Sequence, residues 1–290
     1  MFLVPVVLVV LASGCTLPGG GPAVFTPGTT GKGVVIEQFE PDFREAVSGQ
    51  PVQFEYLIKN TGSVPAKKCH EKIFGLDEAS WGGVPSTCSG EGKYLEPPNP
   101  IYGTGGGSYS CVSRGITAPA LPPDTSYTYK PLLRVYCDFE SRTLTNINLL
   151  PLADARRLQN EGKTFTSFTA SKTSSPIEIT ITPKQPIRVV GGSATFPFEV
   201  RLTNVGGGQA CEKDCEKEDN WNRVSVKLDS DTLALAGCSE KIVTFYKNTA
   251  AFTCTATASG ISAPKTGTIE ATANYQYIVD KTTSITVTGQ

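Results

Sequence analysis

The chain has 290 residues, with 26 basic and 27 acidic side chains and a single histidine. A balanced charge without a basic run or an acidic tail argues against nucleic-acid binding. The lone histidine argues against triad hydrolases and most enzymes that use imidazole for acid–base catalysis. At roughly 100 to 200 residues per domain, the length predicts two domains.

The N-terminal segment is apolar and stops at a cysteine. Residues 2–14 carry no charge, and this run is shorter than the roughly 20 residues that a membrane-spanning helix needs. It has the length of a signal-peptide core followed by small residues. The stretch resembles a lipobox, in which small residues precede a cysteine that is lipidated and becomes the mature N-terminus. We therefore predict a signal peptide over residues 1–14 and lipidation at Cys15. The alternative is an ordinary secretory signal whose cysteine forms a disulfide.

The next segment is rich in glycine, proline and threonine. Residues 16–33 read TLPGGGPAVFTPGTTGKG, a composition typical of a solvated linker. We interpret residues 15–33 as a lipid-anchored tether, so that the partner at this end is a membrane. The predicted location is the outer face of the cytoplasmic membrane or the cell surface.

The remainder of the chain repeats itself once. VQFEYLIKNTGS at 52–63 aligns with FPFEVRLTNVGG at 196–207, and SYSCVSRGITAP at 108–119 aligns with AFTCTATASGISAP at 251–264. The two matches have offsets of 144 and 145 residues, measured from Asn60 to Asn204 and from Gly115 to Gly260. Two matches in the same order at one spacing indicate a duplicated domain.

Both copies have the pattern of β-strands. Apolar and polar residues alternate along 52–59 and 196–203, as in a strand with one buried face. After these strands, Asn60 with Gly62 and Asn204 with Gly206 supply residues that tolerate positive φ at a turn. Residues 280–283 are predicted to form a hairpin turn into a final strand around Ile285 and Val287.

The expected fold class is all-β, with two tandem immunoglobulin-like β-sandwich domains over residues 34–149 and 176–290. Residues 150–175 are predicted to form a short helix and a linker, because LPLADARRLQNEG has a proline near its start and a glycine at its end. We expect proteolysis in this linker to separate two folded halves.

One resemblance to a known family rests on residues 47–66, VSGQPVQFEYLIKNTGSVPA. This segment is similar to the opening of immunoglobulin-like domains of the CARDB type, which are common in surface proteins of bacteria and archaea. The resemblance implies an extracellular seven-stranded sandwich that serves as a spacer or adhesive module. It carries over no catalytic residue.

The cysteines predict a set of disulfides. Of nine cysteines, four remain in each half once Cys15 is set aside, and even sets in an exported chain indicate disulfide bonds. The duplication makes Cys88 equivalent to Cys238, and Cys111 equivalent to Cys254. The predicted bridges are therefore Cys88–Cys111, Cys238–Cys254, Cys69–Cys137 and Cys211–Cys215.

Other candidate sites are weaker. A metal at His70 would need further ligands. The acidic run CEKDCEKEDNW lacks the spacing of a calcium loop and is interpreted as a solvated turn. The run YGTGGGSYS lacks the lysine of a phosphate loop and is interpreted as a flexible loop. Because long loops on a rigid scaffold commonly carry binding residues, we predict a contact loop with Tyr94, Tyr102 and Tyr109. No metal, cofactor or catalytic residue is predicted.

These features predict a lipid-anchored extracytoplasmic surface protein that is a structural or adhesive binding module or a stalk, not an enzyme. Its partner would be a protein or glycan at the cell surface. The alternatives are an exported hydrolase that uses carboxylates such as Asp124 or Glu96, and a solute-binding lipoprotein. The two copies share no repeated pair of acids, which favours the binding module.

Overall fold

The structure, a computed structural model, describes residues 32–88, 92–163 and 171–290. The predicted all-β class is confirmed. Strands dominate these ranges, with one α-helix, α1 (Leu152–Asn160), and a single 3-10 turn at Glu218–Asn220. The predicted helix therefore forms between the two copies. No helix in the described ranges is long and apolar enough to cross a membrane.

The strands fall into two groups along the sequence. The first copy contributes β1 (Val34–Pro41), β2 (Glu45–Val47), β3 (Pro51–Asn60), β4 (Ala66–Phe74), β5 (Lys93–Leu95), β6 (Ser108–Thr117), β7 (Ser126–Tyr129) and β8 (Leu132–Pro151). After α1 come β9 (Ser171–Lys172), β10 (Ile177–Pro183), β11 (Ile187–Val189), β12 (Ala194–Asn204), β13 (Gln209–Cys211), β14 (Arg223–Asp229), β15 (Ala234–Ala236), β16 (Glu240–Thr244), β17 (Thr249–Ala258), β18 (Lys265–Thr282) and β19 (Ile285–Thr288).

These strands form one large sheet and three small ones. The large sheet has nine strands in the order β16-β14-β18-β8-β4-β5, with β9, β11 and β13 attached to its two central strands. The small sheets are β1-β3-β6, β10-β12-β17-β15 and β2-β19-β7. The large sheet draws strands from both copies of the repeat, so it joins the two halves of the sequence.

The centre of the large sheet is a pair of unusually long strands. Residues 132–149 of β8 pair antiparallel with residues 265–282 of β18, an uninterrupted ladder of 18 residue pairs. At about 3.3 Å per residue, this ladder is roughly 60 Å long. It is the longest strand pairing among the described residues.

The sheet order reflects the duplication. Outward from the central pair come β4 and β5 on one side and β14 and β16 on the other. The central pair is thus flanked by two strands from each half. The division into two immunoglobulin-like domains stays a prediction, and strands from both of the predicted domains lie in this one sheet.

The two faces of the large sheet have different surroundings. The odd-numbered residues of β8 from Leu133 to Leu149 are buried, and they pack beneath β1 and β10 of the small sheets. The Thr143 hydroxyl, for example, donates to the Ile179 backbone oxygen of β10 at 2.8 Å. The core is one contiguous apolar cluster drawn from both halves. The even-numbered residues of β8 face the other way, and we call that side the outer face.

The described chain starts at the middle of this body. Val34, the first residue of β1, pairs with Asn60, and the adjoining Gly33 lies near Pro176 and Phe139, where an added Cβ would be 3.4 Å from Phe139 Cζ, near the midpoint of β8. The hydroxyl of Ser175, just before β10, bonds that of Ser141 at 2.7 Å. Strands β1 and β10 therefore begin close together at mid-length and run outward in opposite directions.

The predicted turns after β3 and β12 form, and an asparagine side chain holds each of them. The Asn60 amide donates to the Val64 backbone oxygen at 2.8 Å, and its Oδ1 accepts the Gly62 N–H at 3.0 Å. Asn204 makes the same two contacts, to Gly208 and Gly206. None of the turn residues Asn60, Gly62, Asn204 and Gly206 has positive φ. In the second turn the neighbouring Gly207 has positive φ (76°), and in both turns the asparagine side chain makes the closing hydrogen bonds.

The predicted hairpin at the C-terminus was also wrong. Strand β18 continues to Thr282, and β19 does not pair with it. Instead β19 lies parallel to β2 and antiparallel to β7. The final strand therefore returns to the first half of the sequence, where Ile285 and Val287 are buried.

Candidate binding surface

The structure contains four disulfides, and they are the four pairs predicted from the sequence. Cys69–Cys137 and Cys88–Cys111 lie in the first half, and Cys211–Cys215 and Cys238–Cys254 lie in the second. Several disulfides indicate an oxidising, extracytoplasmic environment. Cys15, the predicted lipidation site, lies outside the described residues.

The predicted tyrosine loop is exposed only in part. Tyr94 and Tyr102 are exposed, whereas Tyr109 is half-buried and packs against the core. Strand β6 begins at Ser108, so Tyr109 is a strand residue opposite Ile58. Its hydroxyl donates to Glu71 Oε2 at 2.7 Å. Tyr94 lies in β5, so of the three tyrosines Tyr102 alone lies in the loop between β5 and β6.

Glu71 is the centre of a buried polar cluster. Its side chain is only 2% exposed. In addition to the Tyr109 hydroxyl, it accepts hydrogen bonds from the Tyr56 hydroxyl at 2.7 Å and the Cys88 N–H at 2.8 Å. The pKa of both tyrosines is raised above the usual tyrosine value, mainly because they are buried and also because the Glu71 carboxylate is adjacent. The cluster connects β3 and β6 to β4 across the sandwich, which is a structural role.

The outer face has a depression at mid-length with a volume of about 350 Å³. Its lining combines three lysines, three carboxylates and two amides: Lys67, Lys68, Lys213, Asp138, Glu140, Glu212, Asn274 and Gln276. These groups come from β4, β8, β18 and the loop after β13. They offer hydrogen-bond donors and acceptors of both charges to a polar ligand.

Several of the lining groups are held in place. Gln276 Nε2 donates to Asp138 Oδ1 at 3.3 Å, and Gln276 Oε1 accepts the Cys215 N–H at 2.8 Å. Lys68 forms an ion pair with Asp138 at 3.6 Å. Glu212 is paired with Arg223 at 3.2 Å. The floor of the depression is thus fixed by the ladder and by the loop that the Cys211–Cys215 bridge closes.

An arginine flanked by two aromatic rings lies beside the depression. The Arg134 guanidinium carbon is 5.5 Å from the ring centroid of Phe74 and 5.6 Å from that of Trp221. Its Nε and Nη2 donate to the two carboxylate oxygens of Asp280 at 2.8 and 2.7 Å. Phe74 remains exposed. We call these four residues the Arg134 cluster.

A small apolar cluster supports this part of the outer face. It contains Tyr136, Ile278 and the Cys211–Cys215 bridge, and Trp221 packs against it. Trp221 Nε1 donates to the Cys215 backbone oxygen at 2.7 Å. Because this packing fixes the indole, the Arg134 cluster is preorganised.

The other candidates from the sequence are dispersed. The His70 ring stacks on Tyr136 with centroids 4.9 Å apart. In the acidic run, Glu216 forms an ion pair with Lys72, and Asp214 with Lys217. Among the described residues, no group of three or more histidine, cysteine or acidic side chains is placed to hold a metal.

The two carboxylates of the hydrolase alternative lie at opposite ends of β6. The Glu96 backbone oxygen accepts from Gly107, just before β6 begins, whereas Asp124 follows the end of that strand. A ten-residue strand separates them, which corresponds to about 30 Å. The structure does not bring Glu96 and Asp124 together.

No model of a known protein family matches the chain, and no curated protein matches it significantly. The resemblance to CARDB-type domains therefore stays a prediction from the sequence.

Proposed function

We propose that this chain is a lipid-anchored surface protein outside the cytoplasm that presents the outer face of its large sheet as a binding surface. The observation that carries this proposal is the position of Gly33. The chain enters the fold at mid-length and on the inner side of the large sheet, next to Phe139 and Pro176. A tether that ends there leaves the outer face pointing away from the anchor.

This attachment point favours a binding module over a stalk. A stalk gains reach when it is anchored at one end, whereas this body of roughly 60 Å is anchored at its middle. The anchor would be the lipid on Cys15, and residues 16–31 would span the distance to the membrane. The disulfides are consistent with a location outside the cytoplasm.

The chemistry of the outer face suits a polar partner. The depression offers lysines, carboxylates and amides, and the exposed Phe74 with Arg134 offers a stacking surface. Such open surfaces bind extended protein or glycan chains through many separate contacts. A protein or a glycan at the cell surface is therefore the proposed partner.

The anchor is tested by mass spectrometry of the natural protein. We expect an N-terminal peptide that starts at Cys15 and carries a lipid-sized mass. Since one acyl chain gives only marginal, reversible membrane binding, two or more chains are expected. An unmodified Cys15, or a mature protein that starts elsewhere, contradicts the proposal.

The binding surface is tested with charge-reversal variants. Lys67→Glu with Lys213→Glu changes the depression, and Lys184→Glu with Lys265→Glu makes the same charge change at exposed sites far from it. The probes are the purified glycan and protein fractions of the cell envelope, applied to the mature protein. We expect the first variant to lose binding and the control to keep it. Equal binding by both variants would remove the depression from the proposal.

A further inference from the structure

The most exposed large apolar side chains of the described residues lie on two loops. Ile101, Tyr102 and Tyr246 are 86%, 80% and 75% exposed, more than any other large apolar residue described. Ile101 and Tyr102 lie in the loop between β5 and β6, and Tyr246 lies in the turn between β16 and β17. The two loops occupy equivalent positions in the two halves.

Backbone hydrogen bonds place the base of each loop at mid-length. The Asn60 N–H donates to Gly107 at 2.9 Å, and the Asn204 N–H donates to Asn248 at 2.8 Å. Asn60 is paired with Val34 at the start of β1, and Asn204 with Ile177 at the start of β10. Counted across the strands of each small sheet, the base of each loop is therefore no more than two strands away from the point where the chain enters the fold.

The loops arise on opposite sides of that point. Strands β5 and β16 are the two ends of the large sheet, and each leads directly into one of the loops. The start of β1 lies between them, above the central strands β8 and β18. The two loops thus flank the start of β1.

The composition of the loops suits the boundary of a lipid bilayer. Residues 97–113 contain no charged side chain, so nothing in that stretch opposes contact with lipid. Tyrosine is enriched at the interface because its ring is apolar and its hydroxyl remains hydrated. Beside Tyr246, the Lys247 ammonium lies 5.6 Å from the ring centroid. Lysines near the surface attract anionic headgroups.

We propose that the Ile101–Tyr102 tip and the Tyr246–Lys247 turn rest on the bilayer, so that the molecule lies side-on with its outer face directed away from the membrane. This inference rests on the lipid anchor of the proposed function. It adds a second membrane contact, made by the folded body, to the covalent one.

The test uses the full mature lipoprotein on vesicles of phosphatidylcholine and phosphatidylglycerol, with acyl chains brominated near the headgroup. Tyr102→Trp and Tyr246→Trp place a fluorophore on each tip. Tyr127→Trp is the matched control, since Tyr127 is 59% exposed and pairs with Val287 in the sheet β2-β19-β7. Of the native tryptophans, Trp81 is buried and Trp221 lies on the outer face, so the parent protein supplies the background.

We expect the bromolipid to quench the added tryptophan at positions 102 and 246, with a blue shift of its emission, and to leave the tryptophan at 127 and the parent protein unquenched. Protein that floats with the vesicles but shows no quenching at either tip, or equal quenching at all three positions, overturns the side-on contact and leaves the anchor standing. Protein that fails to float overturns the anchor, and this inference with it.

Discussion

Glu71 connects the two sheets of the first half through single side-chain contacts. Tyr56 and Tyr109 reach it from the small sheet, while Glu71 itself belongs to β4 of the large sheet. Buried carboxylates are stable only when hydrogen bonds replace the lost water. The sequence gives little sign of this cluster, because KKCHEKIF alternates poorly and Glu71 resembles a surface residue.

Removing one donor from this cluster tests its contribution. Tyr109→Phe deletes the hydroxyl that bonds Glu71 and leaves the Tyr56 and Cys88 donors in place. A hydrogen bond to a charged group contributes about 1.5 to 3 kcal/mol, so we expect the free energy of unfolding to fall by that amount in urea denaturation. Tyr102→Phe is the control, and at an exposed site its effect should stay within about 0.5 kcal/mol. If both substitutions lowered the free energy of unfolding equally, the Tyr109–Glu71 hydrogen bond would contribute nothing to stability.

The glycine run before β6 provides a second test at single residues. From the sequence it was interpreted as a flexible loop, yet a Cβ added at Gly106 would overlap the backbone oxygen of Asn60, and one at Gly107 would crowd Glu96. Gly105 has open space around it. We expect Gly106→Ala to cost about 1 to 3 kcal/mol through overpacking, and Gly105→Ala to cost far less. Equal midpoints of thermal unfolding for the two variants would contradict close packing at Gly106.

At the scale of elements, the alternation of apolar and polar residues predicted where strands form but not which strands pair with each other. The alternating runs in 52–59 and 196–203 became β3 and β12, and the proline and glycine around α1 marked its ends. Alternation shows which face of a strand is buried, whereas it does not identify the strand beside it. The depression combines residues as distant in sequence as Lys67 and Gln276. The β4–β8 and β8–β18 pairings bring them together on either side of Asp138, so this surface could not be predicted.

Disulfide pairing was predictable because the duplication supplied equivalent positions. The bridges differ in the length of chain that they close, 68 residues for Cys69–Cys137 and 4 for Cys211–Cys215. In the chain-entropy model the first contributes about 4 kcal/mol and the second about 2 kcal/mol.

Replacing each of these two pairs with serine should rank them in that order. We expect Cys69→Ser with Cys137→Ser to lower the urea midpoint more than Cys211→Ser with Cys215→Ser. Intact mass measurements should confirm that the remaining three bridges form in each variant. The reverse ranking would indicate that the short bridge matters mainly by holding Trp221 and the floor of the depression.

At the scale of the whole molecule, the central feature is the ladder between β8 and β18. None of the four disulfides joins the two halves, so the halves are held together by this ladder, the shared core and the return of β19 to the first half. The sequence suggested independent domains because repeats commonly fold separately. The extended pairing of β8 with β18, which no local pattern reveals, joins strands of the two copies in one sheet.

The most direct measurement is therefore to cut the chain between the halves. A recognition sequence for a specific protease, placed between Lys163 and Ser171, allows the purified protein to be cleaved under native conditions, and size-exclusion chromatography then reports whether the pieces separate. The shared sheet predicts that the two fragments co-elute at the volume of the uncut protein and separate only in denaturant. Fragments that elute apart without denaturant, each still folded by circular dichroism, would contradict the single body and the mid-length attachment that depends on it.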